Sequence, residues 1–230
     1  MQRLSKGIVN LKITLSLWDI GGQERFEFFK TDFFKGTAAV GLVFDIARPD
    51  TLQYIDNYVS DIRNVAGNIP IILVGNKFDL KKDIGETVYR EEIIQKINKE
   101  NFVEYVEVSA KTNRNVEKLF KKLAIVSLAD IHPRLGEIID SNNFRFKILL
   151  LGDAGVGKSS LLKSFFKKKL DNNYKLTIGL DLLRRDFDIP NEEIPIEIHE
   201  LLKSAASAFR KRLKVLRKKE KTSKSEGLSD

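Results

Sequence analysis

The chain has 230 residues, of which 42% are hydrophobic and 31% are charged, and its formal net charge is +8 at pH 7. This size and composition predict one domain with a hydrophobic core, or such a domain with a short appendage. Because the sequence has no cysteine, disulfides, thiolate metal sites, a catalytic cysteine and thiol-linked lipid anchors are excluded, and we expect a cytoplasmic protein.

The first part of the chain alternates between strand-like and helix-like segments. Leucine or isoleucine at 11, 13, 15 and 17 alternates with more polar residues, which is typical of a half-buried strand. Further strands are predicted at 40–46, 70–75 and 103–108, with helices after Phe26, from Asp50, at 86–100 and at 115–130. This alternation predicts an α/β fold class, a mostly parallel sheet with helices on both faces.

The second part begins with a linker at 131–143 that contains proline and glycine. A strand at 146–151 leads into a glycine-rich loop and a helix, and another strand follows at about 181–189. From Lys203 onward there are ten Lys or Arg residues against three acids. We expect a globular domain over 1–195 and a basic amphipathic helix with a disordered tail over 196–230.

The glycine-rich loop at 152–159 reads Gly-Asp-Ala-Gly-Val-Gly-Lys-Ser and lies between the predicted strand and helix, as a phosphate-binding loop does. Glycines let backbone N–H groups approach a phosphate without Cβ clashes. The helix that starts at the loop adds its own free N–H groups and its positive end. Lys158 would supply charge to the β- and γ-phosphates, and Ser159 a hydroxyl to Mg²⁺.

Three more polar motifs follow predicted strands. They are Trp-Asp-Ile-Gly-Gly-Gln-Glu at 18–24, Asn-Lys-Phe-Asp at 76–79 and Ser-Ala-Lys at 109–111. Ligands of parallel sheets bind at the carboxyl ends of the strands. We therefore expect these motifs and the phosphate loop to share one edge of the sheet, although they are far apart in sequence.

In these motifs the chain resembles a Ras-superfamily small GTPase, a P-loop NTPase, over about residues 8–189. Residues 18–24 resemble the second switch, in the Gly-Gly form of the Arf branch, and 76–79 and 109–111 resemble the guanine-reading Asn-Lys-x-Asp and Ser-Ala-Lys motifs. The phosphate loop and Thr-Ile-Gly at 177–179, which resembles the first switch, are closer to the Rab branch.

The order of the motifs differs from that of ordinary family members. The chain begins at the strand that enters the second switch and ends after the first switch, so it resembles a circularly permuted small GTPase. The break falls in the hairpin between the two switches, and the linker at 131–143 joins the ordinary ends. A linker of this length costs little entropy to close.

The resemblance implies a role for each motif residue. Gln23 would orient the attacking water and act in catalysis with Lys158 and Thr177. Mg²⁺ would be held by Ser159, Thr177 and, through water, Asp19. The implied nucleotide-binding residues are Gly22, Asn76, Lys77, Asp79, Ser109, Ala110, Lys111, Asp153, Ala154, Gly155, Val156, Gly157, Lys158, Ser159, Ser160, Tyr174 and Thr177.

The tail leaves several partners open. Apolar residues at 202, 205, 209, 213 and 216 give the predicted helix at 200–221 one apolar stripe beside basic residues. This helix could pack on the body of the protein, lie on an anionic membrane surface, or bind RNA or an acidic partner. A membrane-bound location at the periphery is the alternative to a purely cytoplasmic one.

The resulting expectation is a molecular switch that binds GTP and GDP with Mg²⁺ and slowly hydrolyses GTP. The resemblance implies effector and regulatory proteins that bind at the switch regions. Two alternatives remain, a non-catalytic GTP-gated binding module and an RNA-associated assembly GTPase that uses the basic tail. Single-turnover GTP hydrolysis and salt-dependent RNA binding would distinguish them.

Overall fold

The structure, a computed structural model, describes residues 10–20, 30–84, 88, 90–130, 143–167 and 180–193. Within these ranges lie six strands, β1 (Asn10–Ile20), β2 (Thr37–Asp45), β3 (Ile71–Asn76), β4 (Glu104–Glu107), β5 (Asn143–Leu151) and β6 (Leu180–Pro190). The helices are α1 (Lys30–Phe34), α2 (Asp50–Gln53), α3 (Ile55–Ala66), α4 (Lys81–Ile84), α5 (Arg90–Glu100), α6 (Val116–Val126) and α7 (Lys158–Phe165). Short 3-10 turns occupy Phe78–Leu80, Ser127–Asp130 and Asn191–Glu193.

The chain divides into two compact units. The larger comprises Ile13–Asp130 and Arg145–Phe187, and its ranges include all the residues of the candidate site. The smaller comprises Met1–Lys12, Ile131–Phe144 and Asp188–Asp230. In the smaller unit, the structure describes residues 10–12 at the start of β1, 143–144 at the start of β5, and 188–193, which are the end of β6 and the turn after it.

The strands form one six-stranded sheet in the order β4-β3-β2-β5-β1-β6. The pairs β2–β3, β2–β5 and β3–β4 are parallel, and in the central register Leu42 lies beside Leu73 on one side and Leu151 on the other. Strands covered on both faces need apolar residues at successive positions rather than at alternate ones, and all six residues of β3 are buried. The prediction of a mixed α/β fold with a mainly parallel sheet is confirmed.

Successive residues of β2 point to two different layers of helix. Val40, Leu42 and Phe44 belong to a buried cluster that includes α3 residues. Gly41 lies between Val40 and Leu42 and faces the other way. A Cβ added there would lie 2.7 Å from the Leu150 side chain and 3.5 Å from that of Leu123 in α6. Helices therefore cover both faces of the sheet, and burying one Leu or Phe side chain in such a core contributes about 1.5–3 kcal/mol.

Two helices differ in extent from the sequence prediction. The helix predicted from Asp50 is divided at Tyr54 into α2 and α3. The helix predicted at 115–130 ends at Val126, where the Ser127 hydroxyl donates to the Leu123 carbonyl at 2.7 Å and the backbone tightens into a 3-10 turn. The described part of the helix predicted at 86–100 begins at Arg90.

The α5 helix buries only one of two adjacent isoleucines: Ile93 is buried and Ile94 is 46% exposed. Adjacent helix positions are separated by about 100°, so both cannot face the same sheet. Among the described residues, no helix has the length and apolar character to cross a bilayer. The basic tail lies outside the described residues.

Candidate nucleotide-binding site

The phosphate loop connects the carboxyl end of β5, a central strand, to the first turn of α7. Two of its glycines have backbone angles or neighbours that exclude a side chain. Gly152 has φ +135°, and a Cβ there would lie 2.0 Å from the Val43 carbonyl oxygen. Gly157 has φ +97°, and a Cβ there would lie 2.3 Å from Asn76 Nδ2. The loop therefore packs with its backbone directly against the ends of β2 and β3.

Lys158 at the start of α7 is buried, with its ammonium group turned back over the loop. Its Nζ donates to the carbonyl oxygens of Gly152 at 2.7 Å and Asp153 at 2.9 Å. Burial lowers the pKa of Lys158 to about 8, while the nearby charges of Asp19 and Asp153 act in the opposite direction. A buried cation with too little opposing charge favours an anionic ligand.

Asp19, at the end of β1, lies beside Ser159, the residue that follows Lys158 in the loop. The Ser159 hydroxyl donates to Asp19 Oδ2, and Asp19 is fully buried. A carboxylate and a hydroxyl are oxygen ligands of the kind that Mg²⁺ binds in proteins. No group of three His, Cys, Asp or Glu residues that could hold a metal exists in the part of the chain that the structure describes. Asp19 and Ser159 fit a Mg²⁺ ion whose remaining positions are filled by water and ligand oxygens.

Asn76, the last residue of β3, joins the phosphate loop to the Ser-Ala-Lys motif. Its Nδ2 donates to the Val156 carbonyl at 2.8 Å, and its Oδ1 accepts from the Ala110 N–H at 3.2 Å. Asn76 is 1% exposed, so both hydrogen bonds are made out of water. The side chain thus holds two loops from different strands at a fixed separation.

Asp79 lies in the 3-10 turn that follows β3 and is positioned by the segment after β4. The Ser109 hydroxyl donates to Asp79 Oδ1 at 2.6 Å, and Ser109 Oγ in turn accepts from the Thr112 N–H at 3.1 Å. Lys111 Nζ is 4.0 Å from Asp79 Oδ2, with 78% of its side chain exposed. Asp79 keeps acceptor capacity beyond its bond to Ser109, because a carboxylate has two oxygens with about four lone-pair sites.

Three side chains that do not belong to the sequence motifs also contact the site. Asp45 ends β2 and pairs with Lys77 Nζ at 2.6 Å. Arg48 donates to the Ala154 carbonyl at 3.1 Å, and the Tyr58 hydroxyl donates to Asp153 Oδ1 at 3.1 Å. Asp45 could have been found as a polar residue at the end of a buried strand. Arg48 and Tyr58 carry no such signal.

The structure places fifteen of the predicted site residues in or beside this edge of the sheet, including Ser160 in the first turn of α7. Gly22 and Gln23 of the predicted second switch, and Tyr174 and Thr177 of the predicted first switch, lie outside the described residues. Their predicted roles in water positioning and Mg²⁺ binding therefore stay predictions.

The fold and this edge of the sheet belong to a known class of proteins. The model of the Ras family matches residues 3–128 and 147–201, so the chain belongs to the Ras family of small GTPases. Rab-4 of Dictyostelium discoideum is 37% identical over 111 residues, which cover 48% of this chain and 53% of that protein. Rab-4A of Danio rerio is 38% identical over 118 residues, which cover 51% of this chain and 54% of that protein.

Rab-13 of Canis lupus familiaris is similar to the same extent, at 34% identity over 114 residues, which cover 49% of this chain and 55% of that protein. The chain thus spans about half the length of the curated relatives it matches. The relatives support the description of this chain as a Rab-like, GTP-binding member of the small GTPases.

Proposed function

We propose that this chain is a guanine-nucleotide switch that binds GTP and GDP with Mg²⁺ and slowly hydrolyses GTP. The observation that carries the proposal is the double hydrogen bond of Asn76, to Val156 in the phosphate loop and to Ala110 beside Asp79. Because Asn76 holds the two loops at a fixed separation, a single ligand of matching length can contact both of them. This supports the view that the phosphate-binding and base-reading segments bind one ligand.

The phosphates would be bound by the backbone N–H groups of the loop, by the start of α7 and by Lys158. The low pKa of Lys158 supports this role, because a phosphate would supply the negative charge that its buried surroundings lack. Ser159 and Thr177, with Asp19 acting through water, would hold Mg²⁺, which when bound supplies positive charge to the phosphate oxygens. Gly22 would donate its N–H to the γ-phosphate.

The base would be read by Asp79. A carboxylate can accept both the N1–H and the exocyclic amine of guanine, and adenine does not present that pair of donors. A site built around such a pair rejects the analogue that lacks it by a large factor. Ser109 supports the role by holding one carboxylate oxygen of Asp79 in place.

Hydrolysis would proceed by in-line attack of water on the γ-phosphate, with Gln23 orienting the water. Such transfers depend mainly on positioning and electrostatic stabilisation, so we expect a slow intrinsic rate that a regulatory protein accelerates. Effector and regulatory proteins would bind at the switch segments. Membrane, RNA and acidic partners of the basic helix at 200–221 stay predictions from sequence.

We further propose that the domain is circularly permuted. Two features support this. Along the chain the phosphate loop comes after the base-reading motifs, and in the sheet its strand, β5, lies between β2 and β1. The strand β5, which comes late in the chain, therefore occupies a central position in the sheet. In this arrangement residues 131–143 connect the two halves of a single nucleotide-binding domain.

The test compares GTP, GDP and ATP binding in the presence of Mg²⁺, followed by single-turnover GTP hydrolysis. We expect a strong preference for guanine nucleotides and slow release of phosphate. Gln23→Leu should bind GTP as the parent does and hydrolyse it more slowly. Equal GTP and ATP affinities in the parent would refute the proposal, and binding without any hydrolysis would favour a non-catalytic GTP-gated module.

A further inference from the structure

The pair Asp45 and Arg48 connects the carboxyl end of β2 to the phosphate loop. We propose that Arg48 is a positioning residue for phosphate binding. Its guanidinium holds the Ala154 carbonyl on the outer side of the loop and thereby directs the Gly155 N–H toward a bound phosphate. The inference rests on the proposed nucleotide binding, and it adds a residue that none of the sequence motifs contains.

Arg48 is fixed at its backbone and along its side chain. Its N–H donates to the Asp45 carbonyl at 2.9 Å, and its own carbonyl accepts from the Thr51 hydroxyl at 2.7 Å. Its Nε donates to Asp45 Oδ2 at 2.9 Å, which leaves Nη2 to reach the Ala154 carbonyl at 3.1 Å. A planar guanidinium held at Nε has little freedom left, so the contact to the loop is made with a small loss of entropy.

Asp45 is the fixed point of this arrangement. Its side chain is 1% exposed, and its Oδ1 accepts from the Ala47 N–H at 3.0 Å. Its Oδ2 receives both Arg48 Nε and, at 2.6 Å, Lys77 Nζ of the guanine-reading motif. A buried carboxylate is kept in place by such partners because leaving it unpaired is costly. Arg48 and Lys77 therefore share one anchor.

The effect on the loop follows from peptide geometry. The two polar groups of a trans peptide, here the Ala154 carbonyl and the Gly155 N–H, point in opposite directions. A donor that holds the carbonyl on one side therefore presents the N–H on the other. Gly155 has φ +76°, a conformation that glycine adopts without penalty.

Asn76 does the same for the next peptide but one, which joins Val156 to Gly157. By donating to the Val156 carbonyl at 2.8 Å it directs the Gly157 N–H away from itself. Two side chains, one after β2 and one at the end of β3, thus hold alternate carbonyls of the loop. Without them the glycines would leave these peptide planes free to rotate, and ordering them would oppose phosphate binding.

The test uses GDP release and ³¹P NMR of bound GDP. Arg48→Met keeps most of the aliphatic stem and removes every donor, so we expect GDP to dissociate about tenfold faster. The ³¹P resonances of the bound phosphates should shift, a change that a purely structural role of Arg48 would not produce. Arg48→Lys should give an intermediate result, because one ammonium cannot replace the fork that joins Asp45 to Ala154.

Arg63→Met is the matched control. Arg63 is an arginine of α3 that donates to the backbone carbonyls of Ile69 at 2.6 Å and Gly67 at 3.4 Å. This variant should release GDP within about twofold of the parent rate and leave the ³¹P spectrum unchanged. An Arg48→Met protein with the parent rate and spectrum would overturn the inference, as would faster release with an unchanged spectrum. A parent that binds no GDP would overturn the proposed function and this inference together.

Discussion

The positive charge of Lys158 has opposite effects on stability and on ligand binding. Lys158 is 6% exposed, and burial lowers its pKa to about 8 despite the nearby carboxylates. The charged form is therefore unfavourable in the folded state and costs stability. The same charge is what would attract a phosphate. Stability and ligand binding should thus respond in opposite directions when it is removed.

Lys158→Met should make this visible. Without nucleotide, its free energy of unfolding should rise by about 1–3 kcal/mol, because an unfavourable buried charge is replaced by an apolar side chain of similar length. GDP affinity should fall by about 100-fold or more. Urea unfolding in EDTA and fluorescent GDP titration measure the two effects. Lys118→Met, at an exposed position of α6, is the control and should change neither. A Lys158→Met protein that is both less stable and unchanged in GDP affinity would contradict the argument.

Asp79→Ala addresses the base rather than the phosphates. Loss of the carboxylate removes the paired acceptor, so the preference for GTP over ATP should fall by a factor of about 100 or more while phosphate contacts remain. Competition of GTP and ATP against a fluorescent nucleotide measures it. Asp83→Ala, four residues later in the exposed part of α4, should keep the parent preference. If both variants kept it, the base would be read elsewhere.

Site residues were predictable from the sequence where the chemistry of the site requires one type of side chain. The glycines, Lys158 and Asp79 belong to short patterns that can be recognised without a structure. Arg48 was not predictable, because its partner Ala154 lies 106 positions away. Nothing in the local sequence indicates which of the many surface arginines will reach the loop, since the contact depends on the place of β2 beside β5.

Among the elements, α3 and α5 are tied by one ion-pair cluster. Asp56 of α3 accepts from Lys96 at 2.5 Å and from Lys99 at 2.7 Å, both on α5. Burial alone would raise the pKa of Asp56, but the hydrogen bonds from the two lysines lower it below the usual value of 3.8. A carboxyl group whose pKa is lowered on folding stabilises the folded state above its unfolded pKa and loses that effect as the pH falls through the folded pKa.

Asp56→Asn should therefore destabilise the protein only when the carboxylate is charged. At pH 7 we expect a loss of about 0.5–1 kcal/mol, discounted because the Asp56 side chain is 36% exposed. The difference from the parent should shrink as the pH falls below about 4. Urea unfolding at several pH values measures it. Asp32→Asn, which breaks an exposed pair with Lys35, should have no measurable effect, and a pH-independent loss at Asp56 would refute an ionic origin.

At this scale the sequence predicted the existence and type of the long elements because their burial patterns are periodic. The strand from Leu11 to Leu17 shows strict alternation, and its four apolar residues are fully buried. Helix ends were less predictable. The end of α6 depends on the Ser127 hydroxyl bonding back to Leu123, and the exposure of Ile94 depends on how α5 is rotated against the sheet, which its sequence alone does not determine.

For the molecule as a whole, the candidate site is made from residues on both sides of the 131–142 segment. Asp19, Asn76 and Asp79 precede it, and the phosphate loop follows it. A protease site placed in this segment and cut after folding should leave the two pieces associated through β2 and β5, with guanine nucleotide still bound. The isolated later piece, residues 138–230, should bind no guanine nucleotide selectively, because Asp79 is missing.

Gel filtration with a fluorescent GDP analogue measures both outcomes. Uncut protein treated with the same protease but lacking the inserted site is the control. Selective guanine binding by residues 138–230 alone would show that the site does not need the earlier half. That outcome would contradict the proposal that the two parts form one permuted nucleotide-binding domain.

The place of β5 between β2 and β1 has a consequence for biosynthesis. About 100 residues separate the end of β2 from the end of β5, which at roughly 5–20 residues per second is several seconds of translation. Throughout that interval the nascent sheet lacks its central strand, and the apolar edge of β2 is open to pairing with other chains. A chain of this topology should therefore depend on ribosome-bound chaperones more than a chain that makes its central strand first, and slower translation should lower its soluble yield.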